Sequence, residues 1–225
     1  MNAYLFIVFL TFFSLPALLP SVASSGQEKT AQAIQSEWPE LDFTSAYDSF
    51  EKKDFARAAQ EIRKGADFLK TAAERSSGKI RGDLSRSYNE IVKLSTDIEN
   101  GSVKSSSRLK KEFSRAHQSL SEYYNERLGN SWLKRDTDNA GRELKSAVSN
   151  LEHSLSWAGN ETKQKTKTVI NDARSLGERL INKVALTAKE VETEIQKVGV
   201  EINELKAKVS EGQEQNGNDS RGLKK

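Results

Sequence analysis

Slid against itself by 82 residues without a gap, the chain aligns Asp48 to Gly65 (DSFEKKDFARAAQEIRKG) with Asn130 to Ala147 (NSWLKRDTDNAGRELKSA). Five of those 18 pairs are identical (Ser49/Ser131, Lys52/Lys134, Asp54/Asp136, Ala58/Ala140 and Glu61/Glu143), where chance gives about one. Phe50 meets Trp132, Lys53 meets Arg135 and Ile62 meets Leu144. The same offset pairs Leu69 with Leu151, Tyr88 with Ile170, Ile91 with Ala173, Leu94 with Leu176 and Ile98 with Leu180. A pattern that recurs at this distance predicts two copies of one supersecondary unit.

Within each copy the apolar positions fall three and four residues apart, so each unit reads as helix, tight turn, helix, short loop, helix. Asp54 and Asp136 stand where an N-cap carboxylate is wanted, each after a Lys-rich helix end that suits the negative pole of the helix dipole. Ser76-Ser77-Gly78 and Gly159-Asn160 supply the next breaks, and Asn100-Gly101-Ser102 ends the first copy. Two amphipathic units cannot bury their stripes alone and are expected to pack on each other as a bundle. With 3 Pro and 13 Gly among 225 residues, little in the composition interrupts helices. The absence of Cys excludes disulfides, thiolate metal sites and a cysteine nucleophile, and a net charge of only +3 argues against nucleic acid.

Beyond the second copy the helical pattern continues. Val184, Ala188, Val191, Ile195, Val198, Ile202, Leu205 and Val209 recur at threes and fours, a seam that extends backwards through Leu180, Gly177, Ala173 and Ile170. One helix of about 48 residues, from near Thr162 to Val209, is predicted, roughly 70 Å long at 1.5 Å per residue. The stripe is narrow and lacks aromatic residues from Val184 to Val209, so it suits another helix better than a lipid surface. Val191, Ile195, Val198, Ile202, Leu205 and Val209 are therefore the candidate interface, for a second copy, the chain's own N-terminal helix or another protein, with a membrane surface as the lesser alternative.

The expected fold class is all-α, an internally duplicated helical-hairpin bundle with a long C-terminal heptad helix. At the N-terminus, Leu5 to Leu19 is almost wholly apolar but shorter than a spanning helix, and Ser21-Val22-Ala23 offers small residues for a signal peptidase. The expected organisation is a signal peptide over 1–23, an N-terminal segment 24–41, the first repeat 42–101, the second 102–183, the heptad helix 184–210 and a disordered polar tail 211–225. The protein is expected to be exported, periplasmic or secreted.

The stretch from Ala46 to Leu69 (AYDSFEKKDFARAAQEIRKGADFL) resembles one hairpin of the tetratricopeptide type, and also the hairpins of exported bacterial helical proteins of the YfdX sort. The Trp, Leu-Gly and Pro positions of a tetratricopeptide unit are missing, and an 82-residue spacing is not a 34-residue array. The resemblance implies a helical fold and export, and carries no residue with a known job.

Phosphate loops, nucleophile elbows, His-Glu-x-x-His and calcium-loop patterns are all absent, so no catalytic, cofactor or metal residue is assigned, no cofactor is expected, and the chain reads as a non-enzyme. His117 falls on the Phe113, Leu120, Tyr124 stripe and reads as a hydrogen-bonded core or boundary histidine. His153 lies opposite the stripe of Leu144, Val148, Leu151 and Leu155, so it faces outward with Trp157, a pair that either covers a docking helix or marks a small surface contact. A metal or haem site using His117 is the least favoured function; protein binding or scaffolding is the first.

Overall fold

The computed structural model describes residues 39–159 and 164–219, with side chains as far as residue 207. Seven helices and no strands occur among these: α1 (39–51), α2 (Phe55–Glu74), α3 (Gly78–Glu99), α4 (Ser107–Leu133), α5 (Thr137–Trp157), α6 (Gln164–Ile181) and α7 (Ala188–Asp219). The fold is an all-α bundle. No helix among the described residues is long and apolar enough to cross a membrane. The signal segment, the chain as far as residue 38 and the Asn160 part of the break expected at Gly159-Asn160 lie outside the described residues.

Two turns set the frame. Lys53 and Arg135 take positive φ angles of 62° and 59° without being glycine. Each is held by the same pair of backbone bonds: Lys53 N–H donates to Phe50 and Asp54 N–H to Ser49, while Arg135 donates to Trp132 and Asp136 to Ser131. Asp54 and Asp136 then cap α2 and α5, accepting from the Arg57 and Asn139 N–H groups at 3.2 Å each. The closure at the end of α3, with Gly101 at φ 64°, recurs at the end of α6 with Lys183 at φ 54°. All three pairs of positions are separated by the sequence offset of 82.

α4 is the central element. Thirteen of its 27 residues are buried, because α2, α3, α5 and α7 all lie against it. α2 pairs with α3, and α5 is gripped between α4 and α6. α1 lies across this assembly, its Phe43 stacked on Phe113 at 4.3 Å between ring centroids. Gly65 of α2 makes room for that ring, since a Cβ there would sit 2.5 Å from Phe43 Cε1.

α5 and α6 cross backbone against backbone. A Cβ on Gly141 would lie 2.5 Å from the Gly177 carbonyl oxygen, and one on Gly177 would lie 2.9 Å from the Gly141 oxygen. Gly141→Val is expected to lower unfolding free energy by about 3 kcal/mol, since only a shift of a whole helix relieves the clash. Gly199→Ala, whose Cβ meets its nearest neighbour at an ordinary 3.5 Å, is expected to leave stability unchanged or raise it. Urea midpoints decide the matter; equal midpoints for Gly141→Val and the natural chain would contradict the close-crossing account.

The C-terminal pattern folds differently from the single long helix expected. The chain breaks after Ile181, where Lys183 N–H donates to Leu180 and Val184 N–H to Arg179, and α7 turns back onto the bundle. Thr187 and Glu190 restart it with a reciprocal cap: Glu190 N–H donates to the Thr187 hydroxyl at 3.2 Å, and Thr187 N–H to the Glu190 carboxylate at 2.8 Å. That Thr-x-x-Glu signature lies inside the apolar rhythm, which masks it. α7 also runs on to Asp219, past residue 210 after which the polar tail was expected; no proline intervenes, although Gly212 and Gly217 are poor helix formers.

Candidate functional site

The contact of α4 with α5 carries a ladder of buried polar groups. Ser114 and Ser154 exchange hydroxyl-to-carbonyl bonds at 2.9 and 2.7 Å, and Ser121 donates to the Ala147 carbonyl at 2.7 Å. Between them, His117 Nδ1 lies 2.9 Å from Asn150 Oδ1. Asn150 is oriented by its own Nδ2 donating to the Ser146 carbonyl, so His117 Nδ1 is the donor to Asn150. These short side chains let two helices approach while their hydroxyl and amide groups find partners across the contact, and they fix the register of the pair.

α1 clamps the end of this ladder. Glu40 Oε2 receives the Trp157 indole N–H at 2.7 Å and lies 2.9 Å from His117 Nε2 and 3.6 Å from His153 Nδ1. The His117 approach is of ion-pair length but off the line of a directed hydrogen bond, so charge carries the contact when Nε2 bears a proton. Burial alone would raise the Glu40 pKa; His117, Trp157 and His153 outweigh it and hold the carboxyl below its ordinary range.

His117 is thus a core histidine as expected, while His153, expected to face outward, is brought to 5.1 Å from the His117 ring. The reason is α1, which docks over the outer face of α5 and partly buries it. Trp157 is covered by it too, against Tyr47 at 5.6 Å. Among the described residues no group of three or more His, Cys, Asp or Glu is placed to hold a metal ion.

A groove of about 420 Å³ opens beside the clamp, between Asp42 of α1, the outer face of α2 and the Tyr123–Arg127 turn of α4. Phe68, Ala72, Tyr123 and Tyr124 supply an aromatic and apolar wall; Lys64, Arg75 and Arg127 supply cations. Arg127 is spoken for, donating to Glu143 at 2.8 Å and to the Tyr123 hydroxyl at 2.8 Å. Burial would lower its pKa, but Tyr123 and Glu143 outweigh it and keep the guanidinium charged. Lys64 is drawn to Glu61 at 2.7 Å. Arg75, exposed at the C-terminal end of α2, makes no ion pair with another described residue. Asp42 has its pKa raised, by burial first and then by Glu61, against a smaller pull from Lys64. Tyr124 is held protonated, mainly by burial.

Two further crevices are more polar. One of 470 Å³ between α6 and α7 is lined by two ion pairs, Arg179 with Glu190 and Lys197 with Glu194, and by Asp172 and Lys189. One of 300 Å³ between α3 and α4 is closed by Lys206, which bridges Asp83 and Glu122. Neither offers an aromatic wall.

The candidate interface residues are placed elsewhere than on an open surface. Val191, Val198, Ile202 and Leu205 are buried on the chain's own α4, α5 and α6, and Ile195 is partly buried against the same core. The Val209 side chain lies outside the described residues. The reversal at Lys183 is the physical reason, since it folds the seam back on the bundle.

No family model matches the chain, and comparison with curated proteins and with solved structures gives no match.

Of the groove residues, the sequence pattern marks Tyr124 as part of a core stripe and Ala72 as a small residue suited to close helix approach, neither as a binding residue. The signal available was Tyr123-Tyr124 with Arg127 following on one helix, two aromatic residues and a cation within little more than one turn.

Proposed function

We propose that this chain is an exported, non-catalytic binding protein whose groove between α1, α2 and α4 takes an anionic group carried on an apolar or aromatic body, such as a carboxylate-bearing peptide segment of a partner protein. The observation that carries this reading is the Arg75 guanidinium, unpaired among the described residues, beside an aromatic wall made by Phe68, Tyr123 and Tyr124. A guanidinium is suited to two-pronged carboxylate binding, and the wall would cover the attached apolar group. Export rests on the apolar Leu5–Leu19 segment and the small residues ending at Ala23.

The lipid-surface alternative needs the inner face of α7 to open onto acyl chains. That face carries Glu194 and Glu201 among its apolar residues, which argues for a protein seat rather than a bilayer.

The test is titration of the full chain with a short peptide ending in Phe and a free carboxylate, followed by NMR. Shifts are expected to concentrate on Phe68, Tyr123 and Tyr124, and Arg75→Glu is expected to weaken binding about tenfold or more, the equivalent of one charge-assisted contact. Arg174→Glu, on α6, is the control. Equal binding by Arg75→Glu, or shifts located away from the groove, would refute the reading.

A further inference from the structure

We propose that two copies of this chain exchange α7, each α7 leaving its own bundle to occupy the same seat on the other copy. The inference is independent of the groove.

It begins from the mismatch between the seam and the fold. Leu180 at the end of α6 and Val191 at the start of α7 are eleven residues apart, which on an unbroken helix is three turns to within about 20°. The apolar stripe therefore keeps one face whether or not the chain bends at 182–187. Nothing in that connection (Asn182, Lys183, Val184, Ala185, Leu186, Thr187) obliges a break: it holds neither Gly nor Pro. The bend is maintained by Lys183 in the left-handed region, which a side chain disfavours, and by the Thr187–Glu190 cap. Val184 stands about half exposed on the connection, although it belongs to the seam. Straightened, α6 and α7 become one helix, and α7 is carried away from α4.

What then covers α7 is decided by its inner face. Beside Val191, Val198, Ile202 and Leu205 it presents Glu201, which accepts from the Thr166 hydroxyl at 2.8 Å and pairs with Lys165 at 3.0 Å. It also presents Lys206, set between Asp83 of α3 and Glu122 of α4. A membrane or an unrelated helix offers no such set of partners. The vacated seat on a second copy offers all of them, and exchanging α7 satisfies both copies with no new interface chemistry.

The chain contains no cysteine, so single cysteines report without background. Gly199 of α7 faces Asn125 of α4, its Cβ position 3.5 Å from Asn125 Nδ2. One full-length chain carrying Asn125→Cys and another carrying Gly199→Cys are unfolded in urea, refolded together at high protein concentration and treated with a short bis-maleimide. A cross-linked product of two chains is expected, because only exchange places residue 199 of one copy at residue 125 of the other. Adding Lys183→Ala with Thr187→Ala to both chains is expected to raise that product several-fold and double the mass by light scattering; Lys183→Gly is expected to reduce it. A chain carrying both cysteines, refolded dilute, serves as the positive control by cross-linking within itself. If the control cross-links and the mixed chains give no two-chain product, with the natural connection or the altered one, the proposal fails. A dimer lacking the 125–199 cross-link would also overturn it.

Discussion

His117→Ala is expected to lower unfolding free energy by about 3–5 kcal/mol, among the largest losses any single side chain here can produce. The ring is fully buried and meets three groups at once: Asn150 through Nδ1, the Glu40 carboxylate beside Nε2, and the edge of Phe43 at 5.5 Å between centroids. Truncation leaves a cavity under α1, an Asn150 oxygen without its donor and a partly buried carboxylate without the imidazole beside it. The loss should depend on pH with a definite sign. Glu40 has a lower pKa folded than unfolded, so its contribution is complete above the ordinary carboxylate value of 4.5 and is lost as the pH falls through its depressed folded value. The gap between the natural chain and His117→Ala should therefore narrow as the pH falls below about 4.5. Urea titrations at several pH values measure this, and a gap independent of pH would show that Glu40 takes no energetic part in holding α1.

How much of this was legible in the sequence divides along a physical line. Local rules acted locally: Asp54 and Asp136 cap helices because a carboxylate three residues before a free N–H does so in almost any context. The three-and-four rhythm likewise sufficed for an all-helical chain. Direction beyond one helix was harder. The face of α5 that carries His153 and Trp157 is outward with respect to α4, and only the arrival of α1 partly buries it; the two residues did mark a docking surface, but not the histidine pair formed beneath it. At Lys183 the sequence holds no obligatory breaker, and an apolar stripe compatible with both a straight and a bent chain cannot choose between them. The groove was hidden for a different reason. It is made where Asp42, Arg75 and Tyr123 come together from three helices, and no spacing within one helix encodes that meeting.

Arg127→Met should show the second large effect, because it strands Glu143. That carboxylate is 2% exposed, with its Oε1 on Arg127 and its Oε2 lacking a hydrogen-bond partner among the described residues. Breaking a buried pair from one side costs about 3–5 kcal/mol; with the Arg127 side chain 37% exposed, solvent screening brings the expected loss to about 2–3 kcal/mol. Replacing both partners, Arg127→Met with Glu143→Leu, should restore most of it, since the penalty comes from an unpaired charge and not from missing volume. The cost of the single variant should also shrink in acid, as the His117→Ala gap does, but for a different reason. A stranded buried carboxyl favours its neutral form in the fold, so the cost is full at neutral pH and shrinks as the pH falls and the unfolded chain takes up the same proton. A double variant as unstable as the single one would mean that Arg127 acts through Tyr123 and its cation–π contact instead. The distinction bears on the groove. Because Arg127 both lines it and holds Glu143, a loss of ligand binding in Arg127→Met alone would confound recognition with stability, whereas the double variant separates them, and Arg75, whose side chain makes no ion pair with another described residue, reports recognition more directly.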